Sequence, residues 1–293
     1  MSHSPVDMVI IPRSSDIGGF EVQRALPFRD KRMVGPFIFW DQMGPGEFVT
    51  GQGMDVRPHP HIGLSTVTYL FDGAIDHRDS LGSYQRIFAG DVNLMSAGRG
   101  IVHSERSGAD LRQHPQKIYG IQSWLAQPLT AENGDPSFLH TGKAALPAFQ
   151  SEGVTGRLMM GEYQGLRSPI PLQWDTLYME LHLEAGATLQ LDAQTEERAL
   201  YALGGELEIA GQCYQPMQML VLHPQQEVLI KAVTPLHLMV LGGAVMDAPR
   251  FIYWNFVSSS KERLEQARQD WKERRFLLVP GDELEFVPLP EGK

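Results

Sequence analysis

The chain has 293 residues, of which 42% are hydrophobic and 20% charged, with a formal net charge of -10 at pH 7. That is apolar material enough for two cores, too little charge for a coiled coil or a disordered acidic chain, and no basic face with which to approach a phosphate backbone. The lone cysteine, Cys213, excludes an intrachain disulfide and fits a reducing compartment. No apolar run reaches the length of a bilayer span, and Met1 to Met8 lack the basic and apolar parts of a signal peptide, so no membrane association and a cytoplasmic location are expected.

Glycine (29 residues) and proline (20 residues) recur as punctuation between short alternating segments, which predicts an all-β chain built from sandwich or barrel domains. In order, Val9 to Ile11 and Phe20 to Arg24 read as strands split by a turn at Asp16-Ile17-Gly18-Gly19. Phe37 to Trp40 reads as another, closed by Gly44-Pro45-Gly46. Strands then follow at Ser65 to Phe71, Ala74 to Arg78, Tyr84 to Phe88, Val92 to Met95, Ile101 to Glu105 and Tyr119 to Trp124. The proline-bearing stretch from Ala126 to Gln150 has few periodic apolar residues and reads as a connection. The expected domains are an N-terminal metal-binding barrel over 1–130, a linker over 131–150, and a second barrel over 151–293 ending in a helix near 259–275.

Two stretches carry the chemistry, His59-Pro60-His61 and His103-Ser104-Glu105. Residues two apart on a strand face the same side, about 7 Å apart, so each stretch offers two donors to one face. Three imidazoles and a carboxylate suit a divalent transition metal. Structural zinc sites lean on cysteine, and a chain of this size does not need a metal to complete its core, which favours a catalytic or redox ion over a structural one. Six-coordination would leave two positions open for substrate and dioxygen or water. By contrast His77, His114, His140, His182, His223 and His237 have no paired spacing and read as surface or core residues.

The second half repeats the pattern of the first. Setting Leu203-Gly204-Gly205 on Phe71-Asp72-Gly73 superposes Tyr201 on Tyr69 and predicts an internal duplication. Leu191 and Ala193 then fall at the positions of His59 and His61, and Val228 to Ala232 near those of His103 and Glu105, so the second barrel is expected to lack metal ligands. Past it, Ser259 and Glu262 form a capping-box pattern, and Leu264, Ala267, Arg268 and Trp271 follow at helical spacing.

The run HPHIGLSTVTYLFDGAIDHRDSLG at 59–82, followed by GDVNLMSAGRGIVHSER at 90–106, closely resembles the pirin family, bicupins of the cupin superfamily. The likeness extends to IPRSSDIGGFEVQRALP at 11–27 and WNFVSSSKERLEQARQDW at 254–271, so it covers nearly the whole chain. It implies two antiparallel β-barrels of the jelly-roll, double-stranded β-helix type, with one iron, Fe(II), in the N-terminal barrel on His59, His61, His103 and Glu105; other divalent metals share this ligand chemistry. The wider cupin pattern places a glutamate a few residues after the H-x-H, where this chain has Thr66, and the carboxylate comes instead as Glu105.

Two function classes follow from the resemblance. One is a quercetin 2,3-dioxygenase, which opens a flavonol ring with dioxygen and releases carbon monoxide, with Glu105 as the catalytic base; Phe37, Phe39, Met54, Val67 and Met95 are candidates for an aromatic-binding pocket as well as for plain core. The other is an iron-dependent regulatory protein that binds a transcription factor or metabolic enzyme, with a protein partner favoured over direct nucleic-acid contact by the acidic charge. Metal-assisted hydrolysis with zinc is a third reading of the same ligands. The enzyme reading leads, because a ligand set with open positions is better explained by chemistry than by docking.

Overall fold

The computed structural model describes residues 4–16 and 20–290. The expected turn at Ile17-Gly18-Gly19 lies outside the described residues.

The first strands are β1 (Val6–Ile10), β2 (Arg13–Asp16), β3 (Glu21–Leu26), β4 (Phe37–Phe48), β5 (Asp55–His61) and β6 (Leu64–Asp72). They are followed by β7 (Ala74–Asp79), β8 (Tyr84–Phe88), β9 (Val92–Ser96), β10 (Ile101–Arg106), β11 (Gln116–Ala126), β12 (Ser137–Thr141) and β13 (Ala148–Ser151). The second half contributes β14 (Val154–Met160), β15 (Glu162–Tyr163), β16 (Leu166–Arg167), β17 (Thr176–Leu183), β18 (Thr188–Leu191), β19 (Glu197–Gly204) and β20 (Leu207–Ile209). It closes with β21 (Gln212–Tyr214), β22 (Met219–Leu222), β23 (Val228–Ala232), β24 (Leu236–Gly243), β25 (Phe251–Tyr253), β26 (Phe256–Ser258) and the helix α1 (Lys261–Lys272).

The two halves share one topology. A seven-stranded sheet in the order β12-β9-β6-β11-β4-β3-β2 is matched, strand for strand, by β1-β22-β19-β24-β17-β14-β13, and the four-stranded sheet β5-β10-β7-β8 by β18-β23-β20-β21. The pairing is antiparallel at β5–β10, β6–β11, β17–β24 and β18–β23, as short strands with turn residues between them demand. Gly73 and Gly205, aligned by sequence, both take left-handed φ, 88° and 82°. At each a Cβ would lie 2.1 Å from a carbonyl oxygen, of Lys117 and Pro235 respectively, so the same glycine serves the same corner in both halves.

One strand departs from its expected limit for a local reason, and one forms where a connection was expected. β4 runs through Gly44-Pro45-Gly46 instead of ending there. Gly44 has φ 68°, and a Cβ on it would meet the Ile118 carbonyl at 2.2 Å. Its glycine therefore permits close approach of backbone to β11, its neighbour in the sheet, and the strand continues past it. The connection after Ala126 contributes β12, which pairs with β9 from Ser137↔Ser96 to Thr141↔Val92.

The chain divides into two compact units that are not contiguous in sequence: Met1–Arg13 with Arg24–Phe39 and Ala144–Met246, and Ser14–Gln23 with Trp40–Lys143 and Asp247–Lys293. This differs from the division expected at 131–150. β1 joins the second-half sheet by pairing with β22, and α1, expected to finish the second barrel, belongs to the unit that holds the histidine stretches. The reason is packing. Leu264 and Ala267 are the buried stripe of α1, and they cluster with Ile62 and Phe256, with Trp271 and Phe276 packed against them. The cap also shifts by one residue. Ser260 is the N-cap, its Oγ accepting from the Arg263 amide at 3.2 Å, while Ser259 donates from its amide to Glu132 Oε2 at 2.9 Å.

The unit formed largely by the second half has one aliphatic core, with Leu158, Met179, Leu181, Leu191, Leu200, Leu220, Val228, Ile230 and Leu238 among its buried members. Leu191 pairs with Val228 across β18–β23 just as His59 pairs with His103 across β5–β10. Where the first half sets a histidine pair, the second half sets a hydrocarbon pair.

Candidate metal centre

β5 brings His59 and His61 to one face of its sheet, and β10 lies beside it with His103 directly opposite His59 and Ile101 opposite His61. An irregularity falls between His103 and Glu105, so that Glu105 comes opposite Val56. On its other edge β10 pairs with β7, which sets Asp79 opposite His103 and His77 opposite Glu105. The three imidazoles converge, with ring centroids 4.9, 4.4 and 5.0 Å apart. The nitrogens of His59, His61 and His103 form one group of atoms within 4.8 Å of one another; Glu105 belongs to a second, overlapping group with His77 and His103. His103 is the member common to both. The four residues read from the sequence are thus assembled as three histidines with a carboxylate beside the third.

Their outer nitrogens fix the orientation of the inner ones. His59 Nδ1 lies 2.8 Å from the Arg57 carbonyl and His61 Nδ1 lies 3.2 Å from the Asn255 carbonyl. A carbonyl only accepts, so each Nδ1 carries the proton and each Nε2 keeps a bare lone pair. His103 Nδ1 is 3.4 Å from His77 Nδ1, and His77 Nε2 is 3.0 Å from Asp79 Oδ2. With His77 Nε2 donating to Asp79, its Nδ1 accepts from His103, which leaves His103 Nε2 bare as well.

Burial sets the charge states. Removal from water lowers His59 to about 4 and holds His61 and His103 well below the ordinary histidine value, so all three are neutral at pH 7. For Glu105, burial raises the pKa, opposed by the neighbouring His77 and by a hydrogen bond from Thr68. Thr68 Oγ1 is 3.1 Å from Glu105 Oε1 and 2.8 Å from Gln122 Oε1, which ties the carboxyl to a polar chain across β6 and β11. Burial also opposes ionisation of Asp79, but hydrogen bonds from His77 and Ser83 outweigh it and hold that carboxyl below its usual value.

His77 is the residue that sequence reasoning missed. It was set aside for want of a paired histidine, yet it is 3% exposed, stacks on Phe138 with centroids 4.3 Å apart, and stands behind His103. Its pairing signal was Asp79, two residues on and so on the same face of β7. The pocket candidates are distributed differently from expectation. Phe37 and Phe39 belong to the other unit, where Phe37 meets Tyr178 edge-on at 5.3 Å, and Met54 lies in an apolar cluster with Leu70 and Ile118. Val67 is buried, and Met95 clusters with Ala97 and Ile101, against which Phe138 packs. Trp124 instead stands edge-on to His61, with ring centroids 5.1 Å apart.

Two repeated all-β units of this topology, one bearing a buried histidine cluster and the other an aliphatic core in its place, define a bicupin with a single candidate metal centre of this kind among the described residues. Comparison with known proteins specifies which. The pirin family profile matches residues 19–125 and the pirin C-terminal cupin domain matches residues 178–277. The chain is 48% identical to a pirin-like protein of Caulobacter vibrioides over 98% of this chain and all of that one. A quercetin 2,3-dioxygenase of Acinetobacter baumannii, known from its crystal structure, superposes with a TM-score of 0.90 at 33% identity, covering 98% of this chain and 95% of that one. The Escherichia coli pirin YhhW, solved in complex with nickel(II), superposes with a TM-score of 0.64 at 18% identity over 82% of this chain and 99% of that one, a likeness of fold. The chain belongs to the pirin family.

Proposed function

We propose that this pirin is a mononuclear non-haem iron dioxygenase that opens flavonol-like aromatic substrates such as quercetin, with His59, His61, His103 and Glu105 as the residues that hold the ion. The observation that carries the reading is the convergence of neutral, outward-tethered imidazoles beside a buried carboxyl. His61 Nε2 and His103 Nε2 lie 3.1 Å apart, an arrangement of two lone pairs that a cation between them would relieve. The donor chemistry fits a divalent transition ion: three borderline nitrogens and one harder oxygen, with no thiolate. The likeness to a solved quercetin 2,3-dioxygenase at 33% identity over almost the full length of both chains supports the same substrate class.

When bound, the ion supplies orientation of the flavonol oxygen and a path for electron density from substrate to dioxygen. The residues of the chain do the rest. Glu105, whose pKa burial raises, accepts the proton of the substrate 3-hydroxyl, and the electron-rich flavonolate that remains is the species that reacts with dioxygen. Thr68 and Gln122 steady the carboxyl as it gains the proton. The carbonyls of Arg57 and Asn255 and the His77–Asp79 pair keep the three rings from rotating. Both atoms of dioxygen enter the cleaved ester and carbon monoxide leaves.

Oxygen uptake with detection of carbon monoxide, on protein loaded anaerobically with iron and given quercetin, tests the proposal beside a His103→Ala control. Matched uptake and carbon monoxide release in the native protein, and neither in the control, is expected. No uptake with iron demonstrably bound would overturn the enzyme reading in favour of a metal-dependent regulatory protein.

A further inference from the structure

A second set of metal-binding side chains stands on the outer face of the other unit's large sheet. β17 sends Leu177, Met179, Leu181 and Leu183 into the aliphatic core, so Glu180 and His182 point to the opposite face. β24 does the same with Leu236 and Leu238, and His237 between them comes directly opposite His182. Glu180 and His182 stand two apart on β17, and strand pairing adds His237, 55 positions beyond His182, which is why the two histidines show no paired spacing.

The geometry is that of a shared vertex. His237 Nε2 is 2.9 Å and His182 Nε2 is 3.2 Å from the same oxygen, Glu180 Oε1, and the two rings lie nearly parallel, 4.1 Å apart at 20°. With spokes of about 2.1 Å, the edge of an octahedron is about 3.0 Å and that of a tetrahedron about 3.4 Å, so these hydrogen-bonded separations also match the spacing of neighbouring ligands around one ion. Glu180 and His237 are mostly covered, at 13% and 19% side-chain exposure, while His182 at 54% leaves a side open to solvent. Arg157 lies opposite Glu180 across β14–β17 and shares this face, so the cluster is not an acidic patch that would attract any cation. Selectivity would come from the imidazoles.

We propose that Glu180, His182 and His237 form a second metal site, for a borderline divalent ion such as zinc, with water completing its coordination. The site is separate from the His59–His61–His103 cluster and does not depend on its assignment. On binding, each Nε2 exchanges its hydrogen bond to Glu180 for the ion, and the ring proton moves to Nδ1, so no redox change is needed.

The test is zinc titration of chelator-treated full-length protein with bound metal counted by mass spectrometry, on wild type, His59→Ala, His182→Ala and His237→Ala, each checked for folding by circular dichroism. Loss of one zinc equivalent in both His182→Ala and His237→Ala, with that equivalent retained in His59→Ala, is expected. His182→Gln, a conservative change at the exposed member, should lose the same equivalent. If His182→Ala and His237→Ala bind as many ions as wild type, the site does not exist, whatever the fate of the N-terminal cluster; quercetin turnover of the same variants reads out that cluster separately.

Discussion

His61 and His103 face each other Nε2 to Nε2 at 3.1 Å, and each has its other nitrogen committed behind it, to the Asn255 carbonyl and to His77. The pair is thereby aimed before any ion arrives. Preorganisation of this kind costs conformational freedom during folding and returns it as metal affinity.

The support behind His103 should be measurable. Asp79 is fully buried and holds His77, which in turn accepts from His103. Asp79→Asn frees the His77 tautomer to flip and is expected to weaken iron binding by about 10- to 100-fold, with the fold retained. Competition titration against a chelator of known affinity measures this; unchanged affinity would remove the relay from the account.

Glu105→Gln separates holding from reacting. The amide keeps the size of the side chain and the Thr68 contact but cannot take a proton at the operating pH. Iron content should fall only in part, while turnover of quercetin falls by about 100-fold or more, the usual weight of a positioned base. Full turnover with full metal would exclude Glu105 as the base.

Acid should destabilise the metal-free protein in a defined window. His59 is depressed to about 4 when folded, from 6.5, so between these values the unfolded chain binds the proton and the folded one does not. Stability therefore falls as pH drops below 6.5, levels off for this residue below 4, and is fully present above 6.5. At pH 5.5 the loss from His59 alone is about 1 kcal/mol, with His61 and His103 acting in the same direction. Urea unfolding midpoints at pH 7.5 and 5.5 for apo protein test this, and a His59→Gln variant should show a shallower dependence.

The convergence of the two histidine stretches was more legible in the sequence than the division into units. His59, His61 and His103 were legible because strand alternation by itself puts i and i+2 on one face. His77 was not, since its partners are an aspartate on its own strand and a histidine 26 positions away. The repeat was legible in the glycine corners at Gly73 and Gly205, and the pairing of Leu191 with Val228 matches the alignment that set them against His59 and His103. The boundaries were not legible, because nothing in the composition of β1 or α1 reveals which sheet each will cover. β1 lies beside β22 and α1 buries Leu264 and Ala267 against Ile62 and Phe256, contacts decided by long-range packing. The cluster of Glu180, His182 and His237 was hidden for the same reason: the short spacing of Glu180 and His182 names two members, and register across β17–β24 brings the third.

X-ray absorption at the iron edge, on protein loaded anaerobically with one equivalent, reads the ion's coordination shell itself. Three imidazoles are expected in wild type and two in His59→Ala. A spectrum without imidazole scattering, or one that His59→Ala leaves unchanged, would contradict it.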